Sequence, residues 1–466
     1  MVFTTHIFIF YFLPAALLLY YLLPRGRNVF LLIASYVFYG WWNPWFVLLM
    51  FGATLLNYLC GKVIAQNTDR GRDAKRALTV AVVGSLSLLG FFKYAVFTQE
   101  NLNALLELFG ADTFPVFVVI LPVGISFFIF QSVSYPIDVY RRESPPVRNL
   151  MDFACFVALF PQLIAGPIVR YNTIADQLVT RRHTLDRFTS GVAIFILGFA
   201  KKLLLADSLG LAADAAFAAE SPLPLDAWFG VIAYAFQIYF DFAGYSDMAI
   251  GLGRMFGFEF PRNFDAPYRS ASITEFWRRW HISLSTFLRD YLYIPLGGNR
   301  LGAGRTYVNL AIVMLLGGLW HGANWTFVAW GAIHGGMLAF ERWRGKESLY
   351  ARLPRVLGIA ITFVLVLISW VFFRSPDIAT AFDYLRAMAG MNAPAAAAPL
   401  LGALLYTPRH LAEMALAAVL VWQATQAFDW VQRLNVLKCI ALVVLFVVSL
   451  FMMFTQDFSP FLYFQF

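Results

Sequence analysis

The charged residues of this chain come in short basic clusters, separated by apolar stretches about as long as a bilayer is thick. Ile7 to Leu23 carries no charge and ends at Arg25 and Arg27. The pattern recurs at Arg70, Arg72, Lys75 and Arg76, at Arg141 and Arg142, and at Arg342, Arg344, Lys346, Arg352 and Arg355. Only 13% of the residues are charged and 60% are hydrophobic, whereas soluble domains carry about 25% charged residues. That balance excludes a water-soluble enzyme and a disordered chain. An aromatic content of 18%, with 48 Phe, argues against a β-barrel, whose strands alternate polar and apolar residues around a wet lumen. The expected fold class is all-α, a polytopic membrane protein.

The net charge of +8 would suggest nucleic acid in a soluble chain. Here the basic loops follow the positive-inside rule instead, and no nucleic-acid partner is expected. Reading them as cytoplasmic puts Ile7–Leu23, Val29–Gly40, Trp45–Val63, Ala77–Phe92 and Val116–Val139 across the bilayer in alternation. Val356–Phe373, Ala412–Phe428 and Lys438–Phe454 follow, and both termini come out on the outer, periplasmic side. The first stretch lacks a preceding basic residue and a small-residue cleavage site, so it reads as a retained helix rather than a signal peptide. Cys60, Cys155 and Cys439 lie far apart, which predicts neither a disulfide framework nor a metal site. The Ala/Pro piece Asn392–Pro399 reads as an outer spacer. No internal repeat supports a transporter built from inverted halves.

The chain between Phe153 and His334 is the informative part. Phe160-Pro161-Gln162-Leu163-Ile164-Ala165-Gly166-Pro167 is apolar yet broken, and such backbone persists at membrane depth only inside protein or along a wet cavity. From Arg254 to Arg305 run eight arginines, four acids and no lysine. Within that segment Ser272-Ile273-Thr274-Glu275 is a capping-box start. Apolar residues then recur over 272–291 within an arc of about 120°, which predicts one amphipathic helix. Arg278, Ser285 and Arg289 share its opposite face, Arg279 and Asp290 lie toward the far edge, and His281 borders the apolar arc. Two readings stand. One is an interfacial helix with arginines on lipid phosphates; the other is a cytoplasmic cradle for an anionic donor such as a coenzyme A phosphate, which planar guanidinium groups bind bidentately.

Gly317-Gly318-Leu319-Trp320-His321-Gly322-Ala323-Asn324-Trp325 lies between two basic marks, so Tyr307–Leu319 and Trp325–Phe340 should form a helical hairpin or a re-entrant pair. The thirteen residues of the first arm put the turn roughly 20 Å deep. His321 sits on that turn. An ionisable residue at such depth is a functional candidate, and imidazole titrates where a general base must; the alternative is a histidine hydrogen-bonded in a helix junction. His6, His183 and His410 read as solvated, and His334 as packed or snorkelling, on a side away from His321. No phosphate loop, nucleophile elbow or zinc-protease motif is present.

Glu275-Phe276-Trp277-Arg278-Arg279-Trp280-His281-Ile282-Ser283-Leu284-Ser285, then Phe287-Leu288-Arg289-Asp290-Tyr291, resembles the signature of bacterial membrane-bound O-acyltransferases. Leu319-Trp320-His321-Gly322-Ala323-Asn324-Trp325 does so too. The opening Met1-Val2-Phe3, Pro161–Arg170, Tyr239-Phe240-Asp241-Phe242-Ala243-Gly244-Tyr245-Ser246-Asp247 and the ending Pro460–Phe466 are similar to the branch of integral-membrane subunits of alginate O-acetyltransferases. The likeness covers the whole chain and is specific for the superfamily, less so for the acceptor polymer.

The resemblance implies one transmembrane domain over 1–466, with N-terminal helices at 1–150, a catalytic half at 151–340 and C-terminal helices at 341–466. It implies helices ringed around a central funnel in the bacterial inner membrane, and exopolysaccharide O-acetylation as in alginate biosynthesis. The family's catalytic histidine falls at His321, with Asn324 or a backbone N–H for the oxyanion. Trp277, Arg278, Arg279, His281, Ser285, Arg289, Asp290, Trp320 and Trp325 are the expected donor- or substrate-binding residues. No cofactor or metal is expected. Acetyl-CoA or another acyl thioester is the donor substrate, and a periplasmic SGNH-hydrolase-like partner passes the acetyl group to the polysaccharide acceptor. D-alanyl, peptidoglycan or cellulose acyl transfer are the neighbouring alternatives, and a polysaccharide exporter is the alternative from another class.

Overall fold

The computed structural model describes residues 1–67, 71–345, 353–392, 398–455 and 461–462. Arg70, Lys346, Arg352, Pro460, residues 463–466 and most of the Ala/Pro piece lie outside them. Among the described residues every regular element is helical and no strand occurs. The contacts group the chain into two compact units. One comprises Met1–Phe195 with Met248–Pro261, the other Ile196–Asp247 with Arg262–Phe466.

In the first unit a π-helical turn, Phe8–Phe12, leads into α1 (Leu13–Leu22). Arg27–Gly40, α2 (Trp45–Gln66), α3 (Arg72–Leu108) and α4 (Ile125–Arg141) follow. α2, α3 and α4 pack on one another. At their centre the buried Asn57 amide donates to Ser85 Oγ at 2.9 Å and to Ser132 Oγ at 3.3 Å. Hydrogen bonds between helices replace the hydrophobic drive that lipid cannot supply. A Cβ on Gly61 would stand 2.1 Å from the Tyr135 ring, so only glycine lets that ring lie against α2.

Three segments differ from the expected spans; that expected over Ala412–Phe428 is a helix over Pro408–Trp422 followed by a separate turn at Ala427–Trp430. α3 has 37 residues where the apolar run suggested sixteen; at 1.5 Å per residue it is about 55 Å long, well beyond a bilayer core. Its distal part, from Thr98, keeps good helix formers and meets no breaker until Gly110, whose φ of +68° ends it. The helix expected from Val116 begins only at Ile125. Residues 111–120 return along α3 without regular structure, because Pro115 and Pro122 withhold N–H donors. Asn103 pairs with both the N–H and the C=O of Phe114 at 3.1 and 2.8 Å. Gln99 treats Phe117 the same way, accepting its N–H at 3.1 Å and donating to its C=O at 3.4 Å.

The broken segment is buried in protein, as expected for such backbone. Phe153–Ala158 of the helix Leu150–Ala158 and the turn Phe160–Leu163 are buried. The Phe160 N–H donates to Ser35 Oγ at 3.0 Å, and the Gln162 amide donates to the Phe156 carbonyl at 2.8 Å. Two helices then run on from the first unit or back to it, α5 (Leu185–Ala200) and α6 (Pro224–Met255).

In the second unit Lys202 lies in a π-helical turn with its ammonium 2.5 Å from Asp207 and 2.6 Å from Asp241 of α6, all nearly inaccessible. Asp241 also accepts the Leu462 N–H at 2.9 Å, which pins the described end of the chain to the core. The helix expected over 272–291 is divided. α7 (Ile273–Arg279) stops where Trp280 turns extended and His281 takes a left-handed φ of +44°, and α8 (Ile282–Leu288) continues into a π turn. Residues 263–265 cause the break by pairing with it: Ile282 N–H donates to the Asn263 carbonyl and Asp265 N–H to the Arg279 carbonyl, both at 2.9 Å.

α9 (Ala303–His321) and α10 (Trp325–Trp343) form the expected hairpin, but each arm has 19 residues. Each is therefore about 28 Å long, and the turn stands deeper than thirteen residues allow. Close contact requires glycine here. A Cβ on Gly318 would meet the Phe327 carbonyl at 2.2 Å, and one on Gly331 the Met314 carbonyl at 2.4 Å. α11 (Arg355–Arg374) packs on α10, and α12 (Val436–Thr455) is mostly exposed along its length. Among the described helices α2, α3, α11 and α12 are long and apolar enough to cross a membrane.

Candidate active site

His321 is the last residue of α9, directly before the turn. Gly322 lets the chain pass the Phe327 ring, which a Cβ would overlap at 2.1 Å. The imidazole is 3% exposed. Three rings meet it edge to face: Trp320 at 5.1 Å, Trp330 at 5.0 Å and Phe373 at 5.2 Å. The box excludes water from most of the ring and leaves it at a helix end, where backbone rather than a packed helical turn flanks it.

Asn324 is N-cap of α10. Its Oδ1 accepts the Thr326 N–H at 2.9 Å and its Nδ2 donates to the Pro376 carbonyl at 2.8 Å. The amide thus shapes the turn, and only its second N–H hydrogen remains for another acceptor. Trp325 beside it is exposed, whereas Trp320 is buried.

His281 is wholly buried. Its Nδ1 lies 3.2 Å from Asn263 Oδ1, which also accepts from the Ser283 N–H and hydroxyl at 3.2 and 2.8 Å. The Ser283 backbone N–H, which can only donate, fixes that Asn atom as oxygen, so His281 Nδ1 carries the proton and Nε2 keeps its lone pair. Nε2 has no hydrogen-bond partner among the described residues. Trp320 spans the two histidines, 5.8 Å from His281 and 5.1 Å from His321 by ring centre. A left-handed non-glycine residue with an unused buried nitrogen is the kind of local cost that functional sites carry.

Trp277 joins the same cluster through Trp330, at 5.6 Å. The expected arginines are not equivalent. Arg279 is held by Glu275 at 3.0 Å and by the Asp265 carbonyl at 3.1 Å. Arg289 is exposed and paired with its neighbour Asp290 at 2.6 Å. Ser285 Oγ donates to the Trp280 carbonyl at 3.3 Å. Arg278 is exposed and has no ion pair among the described residues. The capping box at Ser272 is present, with Oγ accepting the Glu275 N–H at 3.0 Å. Glu341, at the base of α10, accepts the next two N–H groups of α7, from Ile273 and Thr274, at 2.7 and 2.9 Å. That carboxylate on a helix N-terminus locks α7 to the hairpin. Burial alone would raise the pKa of Glu275; the Ala271 N–H, Arg355 and Arg279 outweigh it and hold the carboxyl below its ordinary value.

Residues 137–380 match the model of the membrane-bound O-acyltransferase family. Over the full length of both chains the sequence is 47% identical to a probable alginate O-acetylase of Pseudomonas putida. The chain belongs to the membrane-bound O-acyltransferase family. It is an O-acyltransferase and a membrane protein. A peptidoglycan O-acetyltransferase of Helicobacter pylori is 37% identical over 84% of this chain and 80% of its own. A teichoic acid D-alanyltransferase of Streptococcus thermophilus is 32% identical over 54% of this chain and 68% of its own.

His334 is packed, as the sequence reading had it, but near His321 and not on a side away from it, and that reading passed over Trp330, Phe373 and Asn263. His334 is fully buried on α10, where Trp330 lies between it (4.8 Å) and His321 (5.0 Å). Its separation from His321 along one continuous helix was the wrong measure, since a hairpin folds the second arm back. The signal available was the one that marked His321, an ionisable residue inside an apolar helix.

Proposed function

We propose that the protein moves an acetyl group from a cytoplasmic thioester, acetyl-CoA or another acyl thioester, toward O-acetylation of an extracytoplasmic polysaccharide. In this reading it works in the bacterial inner membrane with both termini periplasmic, and a periplasmic SGNH-hydrolase-like partner completes delivery to an alginate-like polymer. The full-length relatives at 47% identity that carry the name alginate O-acetylase support that acceptor class.

The observation that carries the chemistry is His321 at the end of α9, boxed by Trp320, Trp330 and Phe373. In the proposed step the acceptor hydroxyl oxygen bonds to the thioester carbonyl carbon while His321 takes the hydroxyl proton. The C–S bond then breaks and the thiolate leaves, to be protonated. The second Nδ2 hydrogen of Asn324, or a backbone N–H at the turn, meets the developing oxyanion. Aromatic walls keep the dielectric low, which strengthens such a contact. His281, with its proton on Nδ1 and its Nε2 open, adds a second imidazole across Trp320 whose Nε2 can accept a hydrogen bond. Arg278, which has no ion pair among the described residues, is available for a donor phosphate.

The test is reconstitution in vesicles with radiolabelled acetyl-CoA on the basic-loop side and a soluble acceptor alcohol on the other. Wild-type protein should transfer label across the bilayer and a folded His321→Gln variant should not. Equal transfer by both removes His321 from the chemistry. Label accepted only from an acylated carrier protein replaces the acetyl reading with D-alanyl transfer.

A further inference from the structure

Asn263 lies outside any helix, 18 residues before His281 in the chain. It nevertheless holds three consecutive residues at the break between α7 and α8. Its backbone carbonyl accepts the Ile282 N–H at 2.9 Å. Its Oδ1 faces His281 Nδ1 at 3.2 Å, the Ser283 N–H at 3.2 Å and the Ser283 hydroxyl at 2.8 Å. Asn263 is 1% exposed and His281 is wholly buried, so water does not compete for these bonds.

Three local costs meet at this spot. His281 has a left-handed φ of +44° although it is not glycine. Its Nε2 and the Nδ2 of Asn263 are both buried with no hydrogen-bond partner among the described residues. Packing alone does not require a nitrogen there. Phe242 meets the imidazole edge to face at 4.6 Å, Phe264 stacks on it at 6.3 Å and Trp320 lies 5.8 Å away. An apolar side chain would fill that box with no polar atom left over. No carboxylate among the described residues pairs with His281, so burial keeps the ring neutral. A neutral imidazole with its proton on Nδ1 offers one lone pair, on Nε2, and only an N–H or O–H can use it. Trp320 also meets His321, at 5.1 Å, so that lone pair belongs to the same aromatic cluster as the proposed base.

We propose that Asn263 is a positioning residue for acyl transfer: it keeps the His281 proton on Nδ1, so that Nε2 stays an acceptor for a hydrogen-bond-donating group of the substrates. The inference rests on the reading of His321 as the base. Two substrate groups have that chemistry, the amide N–H of a pantetheine-type thioester arm and the hydroxyl of the acceptor. In both cases His281 holds a group and gives up no proton, and Asn263 acts only through it.

The experiment compares full-length wild type with Asn263→Asp in nanodiscs, by solid-state NMR of histidine ring nitrogens enriched in heavy nitrogen and by transfer kinetics. The His281 signals are those missing from a His281→Gln variant. In wild type they should show Nδ1 protonated and Nε2 bare. A carboxylate at 263 accepts from the same three groups but adds charge, which favours a proton on both ring nitrogens and turns Nε2 into a donor. Asn263→Asp should therefore show both nitrogens protonated and lower kcat/KM at least about tenfold. A raised KM for the thioester assigns the amide to Nε2, and a raised KM for the acceptor alcohol assigns the hydroxyl. Asn263→Leu serves if the Asp variant misfolds. The Ser283 hydroxyl, 3.5 Å from Nδ1, can then donate to it, so the proton should move to Nε2 and transfer should fall alike. A proton on Nε2 in wild type overturns the proposal, as does wild-type transfer in a folded variant whose His281 signals have changed. Loss of transfer with unchanged His281 signals overturns it too and leaves Asn263 structural. The spectrum reads the tautomer whichever acyl group is moved, so failure of this lock is distinguishable from failure of the acetyl reading or of His321 as base.

Discussion

The indole N–H of Trp277 donates to Nδ1 of His334 at 3.2 Å, joining the arginine-bearing α7 to the hairpin arm that faces His321. On its other side His334 Nε2 lies 3.0 Å from Ser369 Oγ, whose own proton goes to the Val366 carbonyl at 2.7 Å. Both imidazole nitrogens are therefore committed, one accepting and one donating, and His334 is a neutral strut among α7, α10 and α11.

His334→Ala should consequently cost stability. It opens a cavity beside Trp330 and leaves the Trp277 N–H without its acceptor, for a loss of about 2–5 kcal/mol. A thermal melt of the purified variant should drop well below wild type. An unchanged melt would show that the strut carries no weight.

His321 should behave oppositely. His321→Gln keeps volume and a hydrogen-bonding head but cannot titrate near neutrality. Transfer should fall by about 10²–10⁴-fold, as for loss of a general base. The melting temperature should stay within a few degrees, because glutamine nearly fills the imidazole's volume between the same three rings. Retained transfer in a folded variant ends the assignment.

The two adjacent arginines should separate. Arg278→Ala removes an exposed group with no ion pair, so the melt should not move while donor affinity falls about 10- to 150-fold. Arg279→Ala breaks the contacts to Glu275 and the Asp265 carbonyl. At that half-exposed site it should cost about 1 kcal/mol of stability. Titration of a non-hydrolysable acyl-CoA analogue, paired with melts, distinguishes them. Equal affinity losses without a stability difference contradict the geometry.

His183 predicts a pH dependence of stability. Its folded-state pKa lies below the ordinary value, from burial first and then Arg27 and Arg181. The unfolded chain therefore takes up the proton first as pH falls. The stabilisation is complete above about pH 6.5, the ordinary histidine value, and is lost as pH drops through and below it. The melting advantage of wild type over His183→Gln should shrink between pH 7.5 and 5.5. A constant difference rules out the linkage.

Gly318 lets α9 approach the Phe327 carbonyl. Gly318→Ala places a methyl group 2.2 Å from that oxygen, so the arms must separate. Activity and melting temperature should fall together, and an Ala variant with wild-type activity would mean that the arms can move apart without disturbing His321.

Much of this was legible in the residues. The scarcity of charge allows only helices in a bilayer, since lipid offers backbone groups no partner outside the segment itself. Basic clusters follow α1, which ends at Leu22, and close α4 at Arg141, Ser272 starts α7 by its cap, and glycine before and after His321 marks a turn. These signals are local, set by a residue and its neighbours within about one helical turn. The length of α3 was not legible, because polar Gln99 and Asn103 look like loop residues until the returning chain at Phe114 and Phe117 uses their amides.

The break at His281 shows the same limit from the other direction. An apolar stripe at helical spacing runs from Ile273 to Tyr291, and nothing in that stretch forbids a continuous helix. Asn263 and Asp265, a dozen or more residues upstream, take over the backbone groups at the break and fix the His281 tautomer. Periodicity reports which face is buried and is blind to which distant segment supplies the hydrogen bonds. So the sequence alone determined the solvent, the helices and the histidine at the turn. Only the tertiary structure decided that His281, Trp320, His321, Trp330 and His334 form one cluster and that Arg279 is held in ion pairs while Arg278 has none among the described residues, because those outcomes depend on partners brought together from far along the chain.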